Sequence, residues 1–246
     1  MKESNCGIGF GKIELFWTEN EKVRRGALKT LVQPTATKMF LQLDEEKRER
    51  VLGAAINEFA GKNYNNASMN EVVKSAGISK GALFKYFKSK AGLFAFVYKM
   101  ALGRVKEYLR QVRDESEGDD FFTRLQKVMW AGLDFINVHP GLAAIYYRIV
   151  FTGDSPYKRE IVEEVRRESL EFLASLIQKG IEKGELRGDL DPALSAFMVE
   201  AVVDRFVHAH HEQFRSRRGK EAHVFSMDTE REIQGITKIL KNGMAG

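Results

Sequence analysis

Two short amphipathic segments separated by one glycine constrain the fold of this chain more than any other feature. Ser68 opens the first segment with the S-x-x-E form of a capping box, and Gly77 ends it. Ser79 is a second N-cap, and the segment that it opens closes near Phe87. Two short helices joined by a glycine turn follow the helix-turn-helix plan, in which the second helix enters the major groove of DNA. The pattern therefore predicts a small helical head with a nucleic-acid-binding face.

Helical spacing of apolar residues extends over nearly the whole chain, and only four prolines occur in its 246 residues. The first helix is predicted from Asp44, a good N-cap, to Gly61, and a later one from about Ser89 to Val112. The fold class is therefore expected to be all-α. Further helices are expected at about 120–138, 141–151, 157–183, 191–216 and 228–242, with a turn over 184–190.

The positive charge is concentrated in the first part of the chain. Residues 1–90 carry 16 basic and 10 acidic side chains, whereas residues 91–246 carry 23 and 24. The segment 74–90 holds five lysines and no carboxylate. This local imbalance would attract a polyanion, although charge alone is more typical of a solvated lysine-rich face.

Composition excludes several classes of protein. Cys6 is the only cysteine, so no intrachain disulfide is expected and a reducing compartment fits. The first 30 residues lack the apolar core of a signal peptide, and no stretch approaches the roughly 18 apolar residues of a membrane helix. We therefore expect a cytoplasmic protein with no membrane contact, and we predict no cofactor.

The run Ile78–Lys90, ISKGALFKYFKSK, resembles the recognition-helix signature of the TetR family of transcriptional regulators. It is preceded at the usual distance by AAINEF at 54–59, and the resemblance covers residues 44–98. It implies a ligand-responsive repressor, not an enzyme, that binds a near-palindromic DNA operator as a homodimer. Ala82 stands where the family often has Ser or Thr, and Phe84 where it often has Tyr. Gly92 replaces a common acidic residue.

Candidate DNA-binding residues lie on and around the second short helix. Its small and basic residues are expected on the exposed face, where they can approach bases and phosphates. The capped amino terminus at Ser68 offers N–H groups to a phosphate, and Lys90 has the same possibility in the next helix. The resemblance implies that the positions of Lys85, Tyr86 and Lys90 touch DNA. The complete predicted set is Ser68, Ser79, Lys80, Gly81, Ala82, Lys85, Tyr86 and Lys90.

The predicted domains are an extension over 1–38, a DNA-binding domain over 39–90, and an effector-binding and dimerisation domain over 91–246. Weak periodicity in 1–38 leaves three interpretations open: a flexible arm, an extra helix, or a segment upstream of a protein that starts at Met39. The turn at 185–192 is similar to the one that precedes the dimerisation helix in the family.

The helix after that turn is apolar on nearly all sides between Ala193 and Val207, so it must be buried on more than one side. Its periodicity is equally compatible with a fully internal helix and with one that contacts a partner subunit. The resemblance favours a dimer built from 191–216 and 228–242.

An aromatic-rich stretch between 120 and 151 contains the candidate effector site. Most of these rings are expected in the core, but in this family the region surrounds an inducer pocket. A small hydrophobic or amphipathic effector is therefore expected. The candidate liners are Trp130, Phe135, Tyr146 and Tyr147, with Asp134 and Arg148 as polar anchors.

Two other functions compete with this interpretation. The cluster His208, His210, His211 and Glu212 has helix-face spacing suited to a metal, which is the basis for a helical metal-binding protein or enzyme. No cysteine and no complete zinc motif accompany the cluster, so a solvated helix end is the simpler explanation. A helical interaction protein whose head has lost DNA binding is the third hypothesis, which the residues at Ala82 and Phe84 permit.

Overall fold

The computed structural model of this chain describes residues 36–152, 158–216 and 228–246. These residues form helices and no strand, which confirms the all-α prediction. Most of the predicted extension, residues 1–35, lies outside the described residues. The helices are α1 (Lys38–Leu41), α2 (Glu45–Gly61), α3 (Met69–Ala76), α4 (Lys80–Phe87), α5 (Lys90–Glu115), α6 (Phe121–Val138), α7 (Pro140–Tyr147), α8 (Lys158–Glu182), α9 (Pro192–Ser216) and α10 (Thr229–Met244).

The predicted helix starts are confirmed because local polar side chains satisfy the first amides. The Asp44 carboxylate accepts a hydrogen bond from the Lys47 N–H at 2.8 Å. The Ser79 hydroxyl accepts one from the Ala82 N–H at 3.1 Å. Gly77 has φ +64°, a left-handed conformation that often ends helices. Glycine adopts it with little strain because it has no Cβ. The turn between α3 and α4 is therefore built into the local sequence.

One predicted helix differs from the structure. The segment expected as a single helix over 141–151 is α7 followed by a π-helical turn, Arg148–Thr152. The predicted turn at 184–190 is confirmed, with Gly184 at φ +72°. An isolated bridge joins Leu186 to Ala245 and ties this turn to the carboxy-terminal end of α10.

The chain divides into two compact units, Met1–Gly103 and Arg104–Gly246. We call the described part of the first unit, residues 36–103, the head, and that of the second the body. The domain limits predicted at residues 38 and 90 stay predictions. The head is built on aromatic contacts: the Phe40 ring lies 4.6 Å from that of Phe87 and 5.6 Å from that of Phe96. These contacts fix α1 against the end of α4.

In the body, α6 contacts α7, α8, α9 and α10, so it occupies the centre. A Cβ at Gly132 would lie 3.0 Å from the Val207 side chain, which shows how closely α6 approaches α9. No single described helix is long and apolar enough to cross a membrane. Together, α6 and residues 140–151 are long and apolar enough, but the two segments are bent by 112° relative to each other.

Candidate functional site

The second helix of the helix-turn-helix, α4, separates a buried and an exposed face. Leu83 and Phe87 are almost completely buried. Lys80, Gly81 and Lys85 are exposed, as is the capping Ser79, and Ala82 is half-buried. The face predicted to meet DNA is therefore open to solvent and carries basic side chains, as phosphate neutralisation requires.

Tyr86 differs from the rest of the predicted set. Its ring is only 5% exposed and lies 5.8 Å from the Phe40 ring, so it is part of the core of the head. Its carbonyl accepts a hydrogen bond from the Thr37 N–H at 2.8 Å, and the Thr37 hydroxyl donates to the Lys85 carbonyl at 3.2 Å. Sequence reasoning missed Thr37 because periodicity is weak over 1–38, and it missed Phe40 because that residue precedes the first helix predicted from Asp44. Contact of Tyr86 with DNA stays a prediction.

Lys90 lies at the start of α5, beside the loop between α2 and α3. Its ammonium donates a hydrogen bond to the Asn65 carbonyl at 3.1 Å and lies 4.9 Å from the centre of the Tyr64 ring. The side chain thus joins two segments of the head while it remains partly exposed. A phosphate can approach an ammonium held in this way, because Lys offers three donors.

The S-x-x-E form predicts that the Glu71 side chain accepts a hydrogen bond from the Ser68 N–H. In the structure Glu58 accepts that bond instead. The Ser68 hydroxyl accepts from the Glu71 N–H at 3.5 Å. The Ser68 N–H, however, donates to the Glu58 carboxylate of α2 at 2.6 Å. Burial raises the pKa of Glu58, but the bonds from Ser68 and Lys62 outweigh it, and the net pKa is lowered. A charged Glu58 therefore holds the start of α3 against α2.

A strained turn connects α4 to α5 and explains why residue 92 is glycine. Lys88 has φ +64° and ψ −39°, and the Ser89 N–H donates to the Phe87 carbonyl at 2.7 Å. This is a γ-turn with positive φ at its central residue, a rare and strained form. A Cβ at Gly92 would lie 2.1 Å from the Phe87 oxygen, so no other residue fits without a shift. In this turn the Phe87 carbonyl thus leaves no room for a side chain at residue 92.

The six predicted effector residues do not form one cluster in the body. Trp130 is 40% exposed and Asp134 is exposed one turn further along α6, whereas the other four are buried or half-buried. Phe135 is buried, with its ring 6.0 Å from that of Tyr108. Tyr146, Tyr147 and Arg148 lie at the end of α7, the part of the set that approaches α9. The effector assignment stays a prediction.

Sequence reasoning missed a group of charged residues beside Tyr146. Burial, followed by the charge of Glu200, raises the pKa of Asp204 to about 6. Burial also raises the pKa of Glu200, and Arg166 opposes both shifts. Burial and these two carboxylates raise the pKa of the Tyr146 phenol above its ordinary value. The apolar pattern of α9 carried the signal, since Glu200 and Asp204 interrupt it.

The histidines of α9 form ring contacts. The His208 ring stacks on that of Phe151 at 3.8 Å, and the His211 ring lies 5.1 Å from that of Tyr147. His210 pairs with Glu232 of α10 at 3.0 Å. The side chain of Glu212 lies outside the described residues. Across the described parts of the chain, no group of three or more His, Cys, Asp or Glu side chains is placed to hold a metal ion.

A face of α9 exposes large apolar side chains, which contradicts the alternative of a fully internal helix. Leu194, Phe197 and Met198 are 61%, 57% and 58% exposed. Ile239 on α10 is 73% exposed. Leu194, Phe197 and Met198 share one side of α9, and we call these three residues the apolar face. Contiguous exposed apolar residues mark a surface that binds another molecule.

The fold and the basic α4 together define a helix-turn-helix DNA-binding regulator. Residues 51–97 match the tetR family of bacterial regulatory proteins, and residues 119–245 match the tetracyclin repressor-like C-terminal domain. The chain belongs to the TetR family of transcriptional regulators. Two of the relatives that it resembles, both from Bacillus subtilis, are named as an HTH-type transcriptional regulator and as a fatty acid metabolism regulator protein.

Individual relatives agree with this family. The chain is similar to the fatty acid metabolism regulator protein of Bacillus subtilis, with 24% identity over 65% of this chain and 81% of the relative. A TetR family regulator from Chloroflexus aurantiacus has a similar structure, with a TM-score of 0.69 and 27% identity over 86% of this chain and 99% of the other. FadR from Bacillus subtilis in complex with stearoyl-CoA has a similar fold, with a TM-score of 0.61 and 17% identity over 79% and 97% of the two chains.

Proposed function

We propose that this regulator is a ligand-responsive repressor that binds a near-palindromic operator as a homodimer in the cytoplasm. The observation that carries the proposal is the exposed basic face of α4, where Lys80 and Lys85 flank small residues on a helix whose other face is buried. Phosphate contacts hold such a head on DNA, and the residues at the front of α4 read base edges. The residues proposed to contact DNA are the eight predicted from the sequence: Ser68, Ser79, Lys80, Gly81, Ala82, Lys85, Tyr86 and Lys90.

The homodimer rests on the apolar face. One subunit leaves Phe197 and Met198 more than half exposed on α9, the helix that corresponds in position to the predicted dimerisation helix. A second copy of the chain covers the same patch by two-fold symmetry, since the surface is then complementary to itself. Two heads read two half-sites about 34 to 36 Å apart or a multiple of it.

The proposed effector is a small hydrophobic or amphipathic molecule held in the body. Support comes from the relative that is named a regulator of fatty acid metabolism and from the similar fold that holds stearoyl-CoA. Tyr146, Tyr147 and Arg148 remain the best placed of the predicted contacts, because they lie where α7 meets α9. The effector must bind the DNA-competent and DNA-incompetent states unequally to shift the equilibrium between them.

Selection of bound sequences from random duplex DNA tests the DNA-binding proposal directly. The full chain is expected to enrich one near-palindromic sequence, and light scattering at micromolar concentration is expected to give the mass of a dimer. Enrichment of no sequence above the starting pool, from protein with an intact helical spectrum, would overturn the proposal. A monomer that nevertheless enriches a single half-site would retain the DNA reader and overturn the dimer.

Competition on the selected operator tests the effector. Palmitic acid and stearoyl-CoA are the probes, with acetate and coenzyme A as matched controls without the long apolar chain. Release of the operator by the long-chain probes alone is expected. Equal release by coenzyme A would assign recognition to the polar group and contradict an apolar site.

A further inference from the structure

The exposed face of α4 carries one large apolar side chain. Phe84 is 38% exposed, although the neighbouring Leu83 and Phe87 are buried. Within residues 36–103, no other aromatic ring reaches this exposure. Phe84 lies four residues after Lys80 and next to Lys85, so its ring projects from the centre of the basic face. More than a third of this residue is therefore open to a molecule that binds the basic face.

Gly81 leaves open space beside this ring. Residues 81 and 84 are three positions apart on the same helix and therefore share a face. A Cβ at Gly81 would meet only the Ser79 hydroxyl oxygen, at 4.0 Å, and the backbone there is not left-handed. The fold of the head thus places no demand for glycine at this position, and glycine is a poor helix former. Close approach by an external group is the physical reason that remains.

The chemistry of the major groove identifies that group. Hydrogen-bond donors and acceptors line most of the groove, and the C5-methyl group of thymine is its apolar feature. A phenyl ring offers no hydrogen bond and gains from contact with a methyl group. We infer that Phe84, with the space left by Gly81, reads the C5-methyl group of a thymine in each operator half-site. This inference rests on the proposed DNA-binding function and adds a specificity-determining residue to it.

Deoxyuridine provides the sharpest test, because it removes the methyl group and keeps the Watson–Crick pair. Each thymine of the selected operator is replaced in turn, and the dissociation constant is measured for the full chain and for Phe84→Ala. At one thymine per half-site, deoxyuridine is expected to weaken binding of the unchanged protein about fourfold. In Phe84→Ala the same replacement is expected to change affinity by less than about 1.5-fold, since the two partners are coupled.

Leu41→Ala is the matched control, because Leu41 is also 38% exposed but lies on α1. It is expected to keep the full response to deoxyuridine. An equal response in Phe84→Ala and the unchanged protein would overturn the inference while leaving DNA binding intact. Failure to enrich any DNA sequence would overturn the proposed function itself, and the inference with it.

A second arm separates thymine from methylated cytosine, which carries the same methyl group. The thymine–adenine pair is replaced by a cytosine–guanine pair and by a 5-methylcytosine–guanine pair. Tighter binding to the thymine operator than to either replacement supports the inference. Tighter binding to the 5-methylcytosine operator would assign the ring to methylated DNA and overturn the thymine assignment.

Discussion

The head and the body expose opposite kinds of surface. On α4 the head exposes lysines around a small apolar centre, whereas on α9 the body exposes Leu194, Phe197 and Met198. Binding by the first surface releases counterions and weakens steeply with salt. Burial of the second is driven by removal of apolar area from water and responds little to salt. The proposed contacts with DNA and with a second copy therefore obey different physics, and each can be altered separately.

Phe197→Asp should give the largest effect, because it places a charge in the proposed dimer interface on the body. A carboxylate buried without a partner costs about 3 kcal/mol or more, which corresponds to a rise of about 100-fold in the dimer dissociation constant. Sedimentation of the variant measures this constant. Val138→Asp places the same charge at a 48% exposed position of α6 and should leave the dimer unchanged. If Phe197→Asp stays dimeric, the apolar face is not the interface.

Gly92→Ala tests whether the head depends on the strained turn at Lys88. The new methyl group would lie 2.1 Å from the Phe87 oxygen. We expect the free energy of unfolding to fall by about 2 to 3 kcal/mol, measured by chemical denaturation. Gly103→Ala, in the same helix, meets nothing within 4 Å and should instead raise stability by about 0.5 to 1 kcal/mol. Equal effects of the two changes would mean that the turn tolerates a side chain.

Helix boundaries in both units were predictable because their signals are local. Asp44 and Ser79 satisfy amides within three residues of themselves, and Gly77 and Gly184 take left-handed conformations. The purpose of Gly92 was not predictable. It depends on the direction of a carbonyl five residues earlier, which only the turn at Lys88 determines.

The candidate sites divide in the same way. The basic face of α4 could be read from one short segment. The placement of Trp130 on an exposed face could not, because several helices pack on α6 and its periodicity does not say which side they cover. The carboxylates near Tyr146 come from a distant helix, and no spacing rule connects them.

Lys90→Ala sharpens the electrostatic side of the comparison. Loss of one phosphate contact per head should weaken binding to all DNA sequences alike, by about tenfold, and reduce the salt slope by about one for each head. Lys85→Ala should instead change which sequence is preferred. Titrations between about 50 and 200 mM salt measure both effects, with the dimer constant followed in parallel. The residue assignment fails if Lys90→Ala, correctly folded, binds with unchanged affinity and slope.

Asp204→Asn tests the cost of charge inside the body and should have the smallest effect. The folded pKa of about 6 lies above the ordinary 3.8, so the charged form is disfavoured in the fold. Stability contributed by the protonated form is present below about pH 4 and is lost as the pH rises through 6. The variant should therefore be more stable at pH 7 by about 1 kcal/mol, after allowance for partial exposure, and equal at low pH.

Unfolding curves between pH 4 and 7 check this pattern. The groups that face Asp204 are Glu200, Arg166, Tyr146 and Tyr147. Asp134→Asn removes an exposed carboxylate elsewhere in the body and serves as the control. A variant that is less stable than the unchanged protein at pH 7 would contradict the prediction.

The two hydrogen bonds from Thr37 attach the segment before α1 to α4, the proposed recognition helix. The Thr37 N–H and hydroxyl donate to the Tyr86 and Lys85 carbonyls in the last turn of α4. The Phe40 ring packs against that of Phe87 at the same end of the helix. A shortened protein that begins at Met39 loses both bonds, and the final turn of α4 is then the first part of the head to fray. A tag fused directly to Thr37 is therefore coupled to the recognition helix through the two hydrogen bonds of that residue.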